Sequence, residues 1–144
     1  MKKIVFLGLF AAFLFGSCTH EQKSPIVGAW QLVSGYQKLD TTINYPVTAN
    51  GHHMKIIGEK HFSTIWQDTT LDKSDRWYAG FNGGTYTFKD EVYTETYEYF
   101  IWLSSIGNTI SYKTEFKSDT MIMTYIPADP DSKASSIEVW KRLE

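Results

Sequence analysis

Residues 110–117 read ISYKTEFK. In an extended chain successive side chains point to opposite faces. Ile110, Tyr112, Thr114 and Phe116 therefore share one face, and Ser111, Lys113, Glu115 and Lys117 share the other. A face of mainly apolar groups backed by a charged one describes a strand lying on a core, with the first set inward. The pattern recurs on either side. In 61–67 the inward set is Phe62, Thr64 and Trp66, and in 84–88 it is Tyr86 and Phe88. Strands are expected over 27–38, 53–57, 61–67, 84–88, 92–103, 109–117, 120–126 and 136–142. Turn residues separate them: Asn50-Gly51, Gly58-Glu59-Lys60, Asn82-Gly83-Gly84, Lys89-Asp90-Glu91, Gly107-Asn108, Ser118-Asp119 and residues 127–131. Residues 71–80 (LDKSDRWYAG) fit a helical turn, a loop or an edge strand equally well.

No amphipathic helix stands out after residue 25. Short, evenly spaced strands predict an all-β fold, an antiparallel up-and-down barrel of about eight strands. Closure removes the exposed edges that a short open sheet would leave. The chain has 144 residues, 42% of them hydrophobic and 16% aromatic, which suits one domain with one core. The net charge of -2 and the lack of a basic stripe give no reason to expect nucleic acid. The single cysteine rules out an intrachain disulfide.

That cysteine has a telling position. Met1-Lys2-Lys3 is followed by an apolar run over residues 4–15, well short of the ~20 residues that span a bilayer. Gly16-Ser17-Cys18 follows and resembles the lipobox of bacterial lipoproteins, although Phe15 stands where Leu is usual. The resemblance implies that Cys18 becomes the lipidated first residue of the mature chain. Residues 1–17 are then a lipoprotein signal peptide, 18–25 a lipidated tether and 26–144 the barrel domain. The expected location is the cell envelope, on the outer membrane. Two or more acyl chains hold a membrane stably where one does not.

Four stretches carry a family resemblance: VGAWQLVS (27–34), MKIIGEKHFSTIW (54–66), NGGTYTFKDEVYTETYEY (82–99) and IEVWKRLE (137–144). In this order they resemble the lipocalin-like (calycin) small lipoproteins of Bacteroidetes. The resemblance implies a structural closure of one barrel end, with Gly28 and Trp30 opening the first strand and Arg142, near Trp140, packing across Trp30. Departures from lipocalins are the missing disulfides, the short chain and the missing helix between the last strands. They count against a large hydrophobic calyx.

Residues 92–100 (VYTETYEYF) put Tyr93, Glu95, Tyr97 and Tyr99 on one face. If this face is inward, Glu95 lies inside the barrel and needs a partner, such as a tyrosine hydroxyl or Arg142. It would then be a polar anchor for a ligand or part of a structural network. If the face is outward, Glu95 is merely solvated. His52 and His53 point to opposite faces and, with His61, do not make a metal site. Asp68, Asp72 and Asp75 lack the spacing of a calcium loop. Met121 and Met123 read as core and soft wall, and Trp77-Tyr78 with Phe81 as a loop on the barrel mouth. No nucleophile elbow, phosphate loop or zinc-protease motif occurs, so neither catalysis nor a cofactor is expected.

The resulting expectation is a lipid-anchored lipocalin-like barrel holding a small apolar or amphipathic ligand. Its walls would be Phe62, Trp66, Tyr86, Phe88, Tyr93, Tyr97, Tyr99, Tyr112 and Phe116, with Glu95 as anchor. The alternatives are a filled barrel that docks protein partners and an enzyme using Glu95 as acid or base.

Overall fold

The computed structural model describes residues 24–38, 42–45, 51–68, 72, 74 and 79–143. Nine strands follow in order: β1 (Gly28–Lys38), β2 (Thr42–Tyr45), β3 (Gly51–Ile57), β4 (His61–Asp68), β5 (Ala79–Lys89), β6 (Val92–Phe100), β7 (Thr109–Lys117), β8 (Thr120–Ile126) and β9 (Ser135–Arg142). The only described helix is a 3-10 turn over Leu103–Ser105. Each strand pairs antiparallel with its neighbour, and β9 returns to pair with β1 along its length. The free edge of β1 is shared, with β3 against Gly28–Gln31 and β2 against Gly35–Lys38. The result is a closed eight-position barrel with β2 as an extra strand at the rim.

Tight turns fall where turn residues stand. Asp90 and Glu91 both have positive φ (51° and 63°), the geometry of a two-residue hairpin whose twist matches that of the strands. Asn82-Gly83-Gly84, expected to break the chain, instead lies inside β5. A side chain at Gly84 would run into the Thr96 carbonyl of β6, so the glycine lets two backbones approach closely. Beside it β6 carries a bulge: Gly84 faces Tyr97 and Gly83 faces Tyr99, leaving Glu98 over. The expected strand 92–103 ends at Phe100; the chain bends at 101 and 102, and Leu103 opens the 3-10 turn.

Ile26, Trp30, Ile57 and Met121 are fully or almost fully buried and plug one end of the barrel. Phe116 packs on Trp30 and on Phe88, with ring centroids 6.1 Å apart in both pairs. Arg142 covers this plug, its guanidinium carbon 4.0 Å from the Trp30 ring centroid. It also donates to the carbonyls of Val27 (2.9 Å) and Pro25 (2.5 Å), and Trp30 Nε1 donates to the Ile26 carbonyl (2.9 Å). Gly28 has a φ of 152°, which L side chains rarely adopt, and a Cβ there would also displace the Arg142 guanidinium. Phe62, Tyr93, Met123 and Trp140 form the next layer of core. The opposite end, where β3, β5, β7 and β9 begin, stays open.

Candidate functional site

Alternation on β3 turns Lys55 and Ile57 into the barrel and Ile56 outward. The next inward position toward the open end is His53, which is half-buried. On β4 Phe62 and Thr64 are buried and Ile65 is exposed. With β1, β5, β6, β7 and β9 these strands line a cavity of about 330 Å³ at the open end. Its lining is Leu32, Gln37, His53, Lys55, Thr64, Trp66, Asn82, Glu95, Tyr97, Phe100, Trp102, Tyr112, Glu138 and Trp140. A neighbouring cleft of about 200 Å³ shares Gln37, Tyr112 and Glu138 and is completed by Ile110, Tyr125 and residues 134–136.

At the cavity floor, Lys55 Nζ donates to Glu95 Oε1 at 2.6 Å, with the two side chains only 4% and 2% exposed. The ammonium also lies 5.0 Å from the Trp140 ring centroid and 5.6–5.9 Å from those of Tyr93, Tyr112 and Phe62. A buried ion is tolerated only when paired, and here the carboxylate and the aromatic faces together stand in for water.

Glu138 is a second carboxylate in the wall. Its Oε2 accepts from Trp140 Nε1 at 3.0 Å. Burial raises its carboxyl above the ordinary value; Lys55 partly offsets this, and the charge of Glu95 adds to it. Burial, followed by the Glu95 charge, raises Tyr97, so its hydroxyl stays protonated. Tyr112 is raised by burial and then by Glu138 and Glu95. His53 moves the other way: burial lowers it, with Asp68 opposing, which favours the neutral ring.

Two wall atoms have no partner. Thr64 Oγ1 and Asn82 Oδ1 are buried without a hydrogen bond, on residues that face each other across β4 and β5. Aromatic rings complete the open end. Phe100 stacks on Trp102 at 4.9 Å, meets Tyr97 edge-on at 4.9 Å, and lies 6.4 Å from Trp66.

The structure distributes the expected wall residues among three places. Trp66, Glu95, Tyr97 and Tyr112 line the cavity. Phe62 and Tyr93 lie in the core beneath it, and Tyr86, Phe88 and Phe116 pack against that core toward the closed end. The Tyr86 hydroxyl is tied to the Gly58 carbonyl at 2.7 Å. Tyr99 is 63% exposed on the outer wall, because the bulge at Glu98 shifts the alternation by one and brings Phe100 into the lining instead. Glu95 faces inward, but its partner is Lys55 and not Arg142, which stays at the closed end. Trp140, expected with the barrel closure, forms part of the cavity lining.

Lys55, Glu138, His53, Phe100 and Trp102 were not anticipated as lining. The alternation Glu138/Trp140 was a usable signal for β9. A lysine between Met54 and Ile56 offered none. His52 and His61 are exposed, whereas His53 is half-buried in the cavity wall. Met121 and Met123 are core. Cys18, Asp75, Trp77 and Tyr78 lie outside the described residues, and Phe81 is exposed on the outer wall.

Comparison with solved structures finds a lipocalin-like protein from Bacteroides uniformis at a TM-score of 0.50 and 15% identity, covering 81% of this chain and 97% of that one. An uncharacterized protein from Bacteroides eggerthii aligns at a TM-score of 0.45 and 16% identity, covering 81% and 98%. The first establishes a lipocalin-like fold. No curated protein matches the chain. A family model described as a domain of unknown function, DUF4488, matches residues 25–144, and the chain belongs to that family.

Proposed function

We propose that this chain is a lipid-anchored envelope protein that holds one small apolar or amphipathic molecule in the cavity at the open end of the barrel. The observation that carries this reading is the cavity itself. Its volume of about 330 Å³ sits at the lower end of the ~300–1,000 Å³ usual for small-molecule sites. Six of its fourteen lining residues are Trp, Tyr or Phe, and two buried polar atoms, Thr64 Oγ1 and Asn82 Oδ1, lack partners that a ligand would supply. The anchor rests on Cys18 and the apolar run before it. The described chain enters at the closed end, where Arg142 holds the Pro25 carbonyl. On this reading the mouth opens away from the bilayer. The pairing of Glu95 with Lys55 supports a structural role for this carboxylate.

Native mass spectrometry of the protein purified from its own host tests the reading. The expected result is a reproducible extra mass, lost on denaturation and absent from Thr64→Phe, which fills the cavity. A clean apo mass in every preparation would overturn it. That outcome would favour a protein-docking barrel, for which the outer wall offers Ile65, Phe81 and Tyr99, all exposed.

A further inference from the structure

The cavity wall is unbalanced in charge. It holds two carboxylates, Glu95 and Glu138, against one ammonium, Lys55. Lys55 is spoken for: its Nζ lies 2.6 Å from Glu95 and is ringed by Phe62, Tyr93, Tyr112 and Trp140. Glu138 receives one neutral hydrogen bond, from Trp140 Nε1 to Oε2. No second donor to this carboxylate is seen among the described residues, and it borders both the main cavity and the adjoining cleft.

Glu138 is half-buried where the cavity and the cleft meet, and with one neutral donor on its carboxylate the wall's charge deficit is left for water or a guest to offset. Its carboxyl is raised by that burial. A guest bringing positive charge would repair the deficit, and a guest bringing negative charge would deepen it. The other walls agree. Trp66, Tyr97, Phe100 and Trp102 line the same cavity, and aromatic rings attract cations as well as apolar groups. Thr64 Oγ1, on a residue only 8% exposed, and Asn82 Oδ1 are unpartnered acceptors in the same wall.

We propose that the cavity selects a small molecule combining an aromatic or apolar body with a protonated amine, and that Glu138 is the carboxylate receiving the amine. This deepens the ligand-binding reading above and rests on it. The amine donates to Glu138, the body lies among the rings nearer the mouth, and the Lys55–Glu95 pair remains intact beneath.

Three probes share one body and differ in charge: 2-phenylethylamine, 2-phenylethanol and 3-phenylpropanoate. Calorimetric titration of the protein with each at neutral pH separates the claims. Binding of the alcohol reports on the cavity, and the ratio of amine to alcohol reports on the charge selection. The expected order is amine tightest, by about tenfold or more as for a hydrogen bond to a charged group, then alcohol, then acid. In Glu138→Gln, with the fold checked by circular dichroism, the ratio of amine to alcohol affinity collapses toward one. Equal affinity for amine and alcohol, or preference for the acid, overturns the charge selection and leaves the cavity reading standing. A preference that survives in folded Glu138→Gln overturns the role of Glu138. Failure of all three probes to bind overturns the cavity reading and this inference together.

Discussion

Lys55 of β3 and Glu95 of β6 meet across the interior of the barrel at 2.6 Å, forty residues apart in sequence. Breaking such a pair from one side leaves an uncompensated buried charge, which costs about 3–5 kcal/mol. Lys55→Met and Glu95→Gln should each lose stability on that scale. Lys55→Met combined with Glu95→Leu should lose much less than the two single losses together. Urea midpoints measure all three, and single losses below about 1 kcal/mol would show that the pair contributes little.

Glu138 makes stability depend on pH in the direction opposite to an ordinary salt-bridged carboxylate. Its carboxyl is raised in the folded protein, by burial first and by Glu95 second, with Lys55 opposing. The folded state therefore holds this proton more tightly than the unfolded state. The contribution is full below the unfolded value near 4.5 and is lost as pH rises through the higher folded value. Glu138→Gln should be more stable than the parent at neutral pH, with the gap closing as pH falls toward 4.5. Thermal melts across this range check it, and a constant gap would refute the argument.

Arg142 ties the last strand to the first. Arg142→Ala removes a cation–π contact with Trp30 and two hydrogen bonds to the carbonyls of Val27 and Pro25. A loss of roughly 2–3 kcal/mol is expected. Arg142→Lys should recover only part of it, since an ammonium cannot reproduce the planar fork. Full recovery by lysine would mean that charge alone holds the end closed.

Glycines separate into strict and tolerant positions. A Cβ at Gly84 would strike the Thr96 carbonyl, and backbone cannot step aside as a side chain can. Gly84→Ala should cost more than about 1 kcal/mol, whereas Gly58→Ala, with ordinary contact distance to the His61 carbonyl, should stay within about 0.5 kcal/mol. Denaturant unfolding of the two variants side by side gives the comparison, and equal effects would discredit the close-approach argument.

Cys18 carries the proposed anchor. In a bacterial host with lipoprotein processing, the mature chain should begin at Cys18, carry acyl mass and partition into detergent. Cys18→Ala should lose all three properties while the barrel still folds. Intact-mass measurement decides, and an unmodified cysteine in the mature wild-type chain would remove the anchor.

The strands were legible wherever one face was wet and the other apolar. In β7, Lys113 and Glu115 are exposed while Tyr112 and Thr114 are buried, as the alternation requires. In β6 the alternation holds from Tyr93 through Tyr97 and then fails. A bulge costs one residue of phase, and nothing local in YEYF announces it. Gly83-Gly84 signalled something unusual, but a glycine pair serves a turn and a close strand crossing equally well.

The amino-acid sequence by itself determined the antiparallel strands, most of their turns and hence a closed barrel, because side-chain period and turn chemistry are local properties. It also determined that Glu95 would need a partner if it lay inside. Only the tertiary structure decided that this partner is Lys55, that Glu138 faces the cavity, and that Tyr99 leaves the wall while Phe100 enters it. Period two names two faces but not which is buried, and a charge on a strand is free to face inward when a distant strand supplies its counter-ion. Such pairing is settled by register around the whole barrel, which no short stretch of chain contains.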